Sequence, residues 1–176
     1  VLGGDDVGEG SRHTALNPSA QLAKEARKRA EAESVRRGEP AFHMTENMRR
    51  LSTPWYVALA RARRIDPTVL PAGVILDAAA GSGLQLVAYS QELKRPALGI
   101  EADGNIAVLC AANMHINSDE GDLQRSMDRV IIGDGSDAEG AITEYWNSLR
   151  EAGTRAHPPI AMLHLDPARP LDAQNH

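Results

Sequence analysis

Four short apolar runs, at residues 74–77, 97–101, 129–133 and 160–165, are separated by stretches long enough to form helices, and this alternation constrains the fold more than anything else in the chain. Val74–Asp77 leads into a helix-forming stretch over about Gly83–Glu92, Ala97–Glu101 into another over about Gly104–Asn117, and Arg129–Gly133 into a third over about Ala138–Glu151. The fourth run, Ile160–Leu165, reads as a further buried strand. Strands that alternate with helices are joined by crossovers, which make neighbouring strands parallel and lay the helices on the faces of the sheet. An α/β domain built on a parallel sheet is therefore expected over residues 68–176. With one Phe, two Trp and three Tyr in 176 residues, its core must come from Leu, Ile, Val and Ala, which suits strands covered on both faces.

The chain before residue 68 is of a different kind. Residues 1–18 are rich in Gly and Asp, lack apolar periodicity and read as a disordered tail. Residues 19–67 read as a helical arm. Ser19–Arg37 is dense in the helix formers Ala, Glu, Lys and Arg, and a second helix is expected from Thr45 towards Leu51. Ser52-Thr53-Pro54 supplies a cap followed by proline at the first helical position of a third helix, over about 54–65. The net charge of −5 divides unevenly: residues 1–70 hold 12 Lys/Arg against 9 Asp/Glu, and residues 71–176 hold 7 against 15. The front is basic and the back acidic. The single cysteine, Cys110, excludes an intramolecular disulfide and a cysteine-based zinc cluster. No apolar run approaches the roughly 18 residues needed to span a bilayer. A cytoplasmic protein with no membrane partner is expected. His43, His115, His157 and His164 lack metal-ligand spacing, so no metal is expected, and Cys110 within Ile106–Ala112 reads as core.

Chemistry concentrates where the strands end. Val74-Ile75-Leu76-Asp77-Ala78-Ala79-Ala80-Gly81-Ser82-Gly83 is an apolar strand that ends in an acid and turns through small residues into a helix, so that a ligand can approach the backbone closely. A dinucleotide fingerprint needs a third glycine where this chain has Leu86, and no Gly-Lys-Ser/Thr is present to grip a phosphate. Glu101 lies 24 residues beyond Asp77 at the end of the next strand, where a carboxylate can accept both hydrogen bonds of a ribose diol; Asp103 is a second candidate. Ile131-Ile132-Gly133-Asp134 brings another acid to the same sheet edge, suited to the exocyclic N–H of an adenine. Met162–Leu165 runs into Asp166-Pro167, and the proline ends the strand and biases Asp166 to an extended backbone facing the crevice.

Asp77-Ala-Ala-Ala-Gly81-Ser-Gly83, Gly99-Ile-Glu101, Gly133-Asp134 and Leu165-Asp166-Pro167-Ala168-Arg169, in this order and spacing, resemble the cofactor and substrate motifs of class I methyltransferases. The Asp-Pro-Ala-Arg end, with Ser52-Thr53-Pro54 and Arg61-Ala62-Arg63-Arg64, resembles the branch with a THUMP-like domain related to RNA guanine-N2 methyltransferases. The resemblance covers about residues 45–170 and implies a Rossmann-like sheet that binds S-adenosylmethionine. It assigns Asp77 to the methionine ammonium, Ala79, Gly81 and Gly83 to the turn around it, Glu101 to the ribose hydroxyls and Asp134 to the adenine amine. Asp166, Pro167 and Arg169 fall where the methyl group meets its acceptor. Two departures stand out: Ala79 replaces a glycine, tolerable where no positive φ is needed, and Ala168-Arg169 replace the second proline and stacking aromatic of base amino-methyltransferases. A guanidinium can also stack on a base.

The expected function is an S-adenosylmethionine-dependent methyltransferase acting on an RNA base. The alternatives are a non-catalytic Rossmann-like module that binds a nucleoside cofactor or a protein partner, and a methyltransferase acting on a small molecule or protein. For RNA speak Arg49, Arg50, Arg61, Arg63 and Arg64, uninterrupted by any acid and accompanied by Trp55 and Tyr56. The resemblance implies seven strands where four are read here, so the outer edge of the fourth is expected to be unpaired and open to association.

Overall fold

The computed structural model describes residues 13–17, 24, 27, 28, 30, 31, 39–118, 126–155 and 157–166. Five strands are present: β1 (Thr14–Leu16), β2 (Val74–Asp77), β3 (Ala97–Glu101), β4 (Arg129–Ile132) and β5 (Ile160–His164). They form one sheet in the order β1-β4-β3-β2-β5. β2 to β5 pair parallel, in register Leu76↔Leu98, Gly99↔Val130 and Leu76↔Leu163. The helices are α1 (Glu46–Leu51), α2 (Trp55–Arg63), α3 (Leu84–Leu93), α4 (Gly104–Ile116) and α5 (Ala138–Glu151). The protein is thus α/β, with a mostly parallel sheet and flanking helices.

The two-residue period of the strands divides the core into two layers. Val74 and Leu76 of β2, Leu98 and Ile100 of β3 and Ile131 of β4 face Ala141, Tyr145 and Leu149 of α5. Ile75, Ala97 and Val130 face the other way, against Leu86 and Val87 of α3 and Ala107, Cys110 and Ala111 of α4. Phe42, Ala58 and Ala62 of the arm belong to this second cluster, so α2 packs on α3 as part of the same core. The small Ala58 and Ala62, one turn apart and fully buried, let the two helices approach closely. Among the described residues, no helix is long and apolar enough to cross a membrane.

Local chemistry sets the helix ends. The Thr45 hydroxyl accepts from Met48 N–H at 3.2 Å and caps α1, and Asp103 Oδ1 accepts from Asn105 and Ile106 N–H at 2.8 and 3.2 Å at the start of α4. Asp103, the second acid read as a ribose candidate, is therefore a helix cap. The cap expected from the Ser52-Thr53-Pro54 step does not form at the start of α2, and Ser52 serves α1 instead. Its hydroxyl donates to Met48 O at 2.6 Å and closes the end of α1, while Pro54 holds the cap position of α2 without a side-chain bond, so that helix starts one residue later. Of the helix expected over Ser19–Arg37, residues 24, 27, 28, 30 and 31 are described and are helical.

Two expectations are corrected. Within the 1–18 segment read as a disordered tail, Thr14–Leu16 form β1, which pairs antiparallel with β4 (Thr14↔Ile132, Leu16↔Val130), so the sheet is not purely parallel. The strand is three residues long and owes its place to a partner more than a hundred residues away, and the buried His13 beside it fills space left by the missing side chains of Gly133 and Gly140. Ile160–Leu165 was expected to be a buried strand, yet β5 is only half-buried, with Leu163 and Leu165 exposed by 59% and 62%. It is the outermost described strand on its side and pairs with β2 alone.

Candidate functional site

The strand–turn–helix from Asp77 to Leu84 forms the centre of the candidate site. Gly81 and Gly83 take left-handed φ values of +52° and +78°, which side chains other than glycine rarely adopt. A Cβ at Gly83 would lie 2.9 Å from Cys110 Sγ, so that glycine also lets the start of α3 close on α4. Ala79 does not have a positive φ, so the backbone there does not require a glycine. The turn is tied to the strand ends on both sides: Ala78 N–H donates to His164 O at 3.1 Å and Ala80 N–H to Ile100 O at 2.9 Å.

The acids at the strand ends converge here. Asp77 is buried, and its Oδ1 accepts from Ala79 N–H at 3.1 Å. Burial holds its pKa above the ordinary value; the Ala79 bond and nearby His164 offset part of that, while Asp166 and Glu101 add to it. Glu101 accepts from Gly81 N–H at 3.0 Å with Oε2 and from Asp103 N–H at 2.9 Å with Oε1. Asp134 is exposed; its Oδ1 accepts from Ser136 N–H at 2.8 Å, and the Ser136 hydrogen bonds hold its carboxyl below the ordinary range. Gly133 N–H donates to Glu101 O at 3.0 Å, and Gly135 lies against the Ala78 carbonyl where a side chain would not fit. The 133–137 loop therefore crosses from β4 to the end of β2, beside the glycine turn.

Asp166 lies just past β5, half exposed, and its Oδ2 receives Arg61 Nη1 from α2 at 3.2 Å. The same guanidinium nitrogen donates to Gln85 Oε1 at 3.3 Å, and Gln85 Nε2 donates to Ala58 O at 3.2 Å. Tyr89 and His164 meet near this pair, hydroxyl to Nδ1 at 3.3 Å with the rings edge to face, and burial pushes the Tyr89 hydroxyl pKa up. The structure thus brings together Asp77, Ala79, Gly81, Gly83, Glu101, the Asp134 loop and Asp166. Pro167 and Arg169 lie outside the described residues.

Sequence reasoning missed Gln85, Tyr89 and His164, and it missed the role of Arg61 towards Asp166. A polar residue within an otherwise apolar helix, as Gln85 is in Leu84–Ala88, was the available signal, because such a group must find a partner when buried. Cys110 is fully buried and its thiol pKa is pushed up by that burial, in keeping with a packing role.

The arginine cluster is partly consumed by the fold. Arg61 pairs with Asp166, Arg63 with Glu92 at 3.3 Å and Arg49 with Glu46 at 4.0 Å. Arg50, Arg64 and Tyr56 are exposed. Trp55 is half-buried against Phe42, with ring centroids 5.7 Å apart. These two rings also line a cavity of about 140 Å³ between the arm and Leu84 at the start of α3. Comparisons with protein families, characterised proteins and solved structures gave no match for this chain.

Proposed function

We propose that this chain carries the S-adenosylmethionine site of a Rossmann-like class I methyltransferase that modifies an RNA base in the cytoplasm. The observation that carries the reading is the gathering of Asp77, Glu101, Asp134 and Asp166, from the carboxyl ends of four adjacent parallel strands, around a turn with two left-handed glycines. Ligands of open parallel sheets bind at that edge. The residues fit the cofactor chemically. Each Glu101 oxygen accepts one backbone N–H and keeps lone-pair capacity for a ribose hydroxyl. Asp77 is buried with one backbone partner, and a cation beside it would offset the burial that disfavours its charge.

S-adenosylmethionine supplies a methyl group already activated on a sulfonium, so the work left to the chain is positioning. Asp77 would hold the ammonium, Gly81 and Gly83 leave room for it, Glu101 would take the ribose diol and Asp134 the adenine amine. Asp166, held by Arg61, would orient the acceptor. On the arm, exposed Arg50, Arg64 and Tyr56 support an RNA substrate through phosphate contacts and stacking. One observation favours the second reading, a non-catalytic nucleoside-binding module: the Asp166 carboxylate is already engaged by Arg61. The half-exposed edge of β5 supports association with another strand in either case.

Incubation with methyl-labelled S-adenosylmethionine and RNA separates the readings. Label transferred to RNA by the wild-type protein, and lost in Asp166→Asn with unchanged affinity for S-adenosylhomocysteine, is the expected result. Cofactor binding without transfer would support the module instead.

A further inference from the structure

Asn113 lies in the last turn of α4, among apolar residues and with no exposure to solvent, and all of its side-chain hydrogen bonds leave the helix. Its Oδ1 accepts from His43 N–H at 2.7 Å, and its Nδ2 donates to His43 O at 3.0 Å and to Ser82 O at 2.9 Å. Both amide hydrogens and the carbonyl are therefore used, two of the three bonds on the backbone of the arm and one on the backbone of the glycine turn. Ser82 sits between the two left-handed glycines, so this last bond grips the turn at its centre. A second link runs in parallel, Ser52 Oγ to Ser82 Oγ at 3.4 Å. Four residues on, at the cap that closes α4, Asn117 Nδ2 donates to Ala41 O at 2.9 Å and touches the arm without touching the turn.

We propose that Asn113 is a positioning residue that makes docking of the arm and the shape of the glycine turn a single event, so that a ligand seated on the turn tightens the arm and a docked arm tightens the ligand. The inference rests on the cofactor reading of the turn. A carboxamide buried in an apolar helix is tolerated only when its bonds are complete, and a network left half satisfied is worse than none. Loss of the arm strips Asn113 of two partners at once, which weakens its hold on Ser82. The coupling is reciprocal by thermodynamic necessity: the factor by which bound cofactor lowers the equilibrium constant for opening of the arm equals the factor by which the docked arm raises cofactor affinity over the open one. An arm that carries the exposed cations would in this way report substrate engagement to the cofactor turn.

Amide hydrogen exchange at His43, whose N–H points at Asn113, reads the coupling in the unmodified protein, with S-adenosylhomocysteine as the probe. Saturation with the probe is expected to slow His43 exchange at least tenfold. Asn113→Ala should weaken probe binding at least tenfold and abolish the ligand dependence at His43, whereas Asn117→Ala should speed exchange near Ala41 with less than a threefold change in affinity. If Asn113→Ala does not fold, Asn113→Asp, which keeps the acceptor for His43 N–H and loses both donors, is the replacement. Probe binding to the wild-type protein without any change at His43 overturns the coupling and leaves the cofactor reading intact. Absence of probe binding to the wild-type protein overturns both.

Discussion

Alanine at Gly81 and at Gly83 should cost different amounts, because the two glycines answer different demands. Both have left-handed backbones, with φ of +52° and +78°, and forcing alanine into that region costs about 1–2 kcal/mol. Only Gly83 is also short of space: its added methyl would sit 2.9 Å from Cys110 Sγ, whereas one at Gly81 would meet nothing closer than Ala79 O at 4.0 Å. Overpacking typically adds about 1–3 kcal/mol. Gly81→Ala is therefore expected to destabilise by about 1–2 kcal/mol and Gly83→Ala by about 2–5 kcal/mol. Removing the sulfur isolates the packing part, so in a cycle with Cys110→Ala the double variant should be more stable than additivity predicts by about 1–3 kcal/mol. Urea unfolding of the four proteins, followed by circular dichroism, measures each value. Equal losses at the two glycines, or a cycle additive to within about 0.5 kcal/mol, would refute the reasoning.

Two further outcomes follow from the acids. Burial raises the Asp77 pKa above its ordinary 3.8, so the folded state keeps a proton that the unfolded chain has already released; stability should fall as pH rises from about 4 through the folded pKa. Asp77→Asn should remove that slope and raise the unfolding temperature at neutral pH while weakening S-adenosylhomocysteine binding, and a variant less stable than wild type at pH 7 would contradict the assignment. The Arg61–Asp166 pair is about half exposed on each side, so Arg61→Ala should cost less than about 1 kcal/mol of stability, yet slow methyl transfer with cofactor affinity unchanged. A large loss of stability would show instead that Arg61 is a packing residue.

The strands β2 to β5 were legible to within about a residue because each is an apolar run closed by an acid, a glycine or a proline, signals that act locally. β1 was not, since Thr14–Leu16 has no apolar pattern and its place depends on β4 and on the fit of His13 against Gly133 and Gly140. The positions of Asp77, Glu101, Asp134 and Asp166 at one edge followed from the strand ends, but their partners did not. Arg61 meets Asp166 across 105 positions of chain, a separation no periodicity reports. The Ser52-Thr53-Pro54 step misled for a local reason, as a hydroxyl such as that of Ser52 serves equally to start one helix or finish another. Asn113 stood in plain view as a polar residue in an apolar helix, but only the fold shows that its partners are the arm and the turn.

The central claim is tested most directly by calorimetric titration of the wild-type protein and Glu101→Gln with S-adenosylhomocysteine, with NAD as the control. Glu101→Gln keeps one carbonyl acceptor and the shape of the side chain, and a lost charge-assisted hydrogen bond costs about 1–3 kcal/mol. The account predicts binding of S-adenosylhomocysteine to the wild type, roughly 5- to 150-fold weaker binding to the variant, and no binding of NAD. Equal affinity in the two proteins, or a preference for NAD, would contradict it.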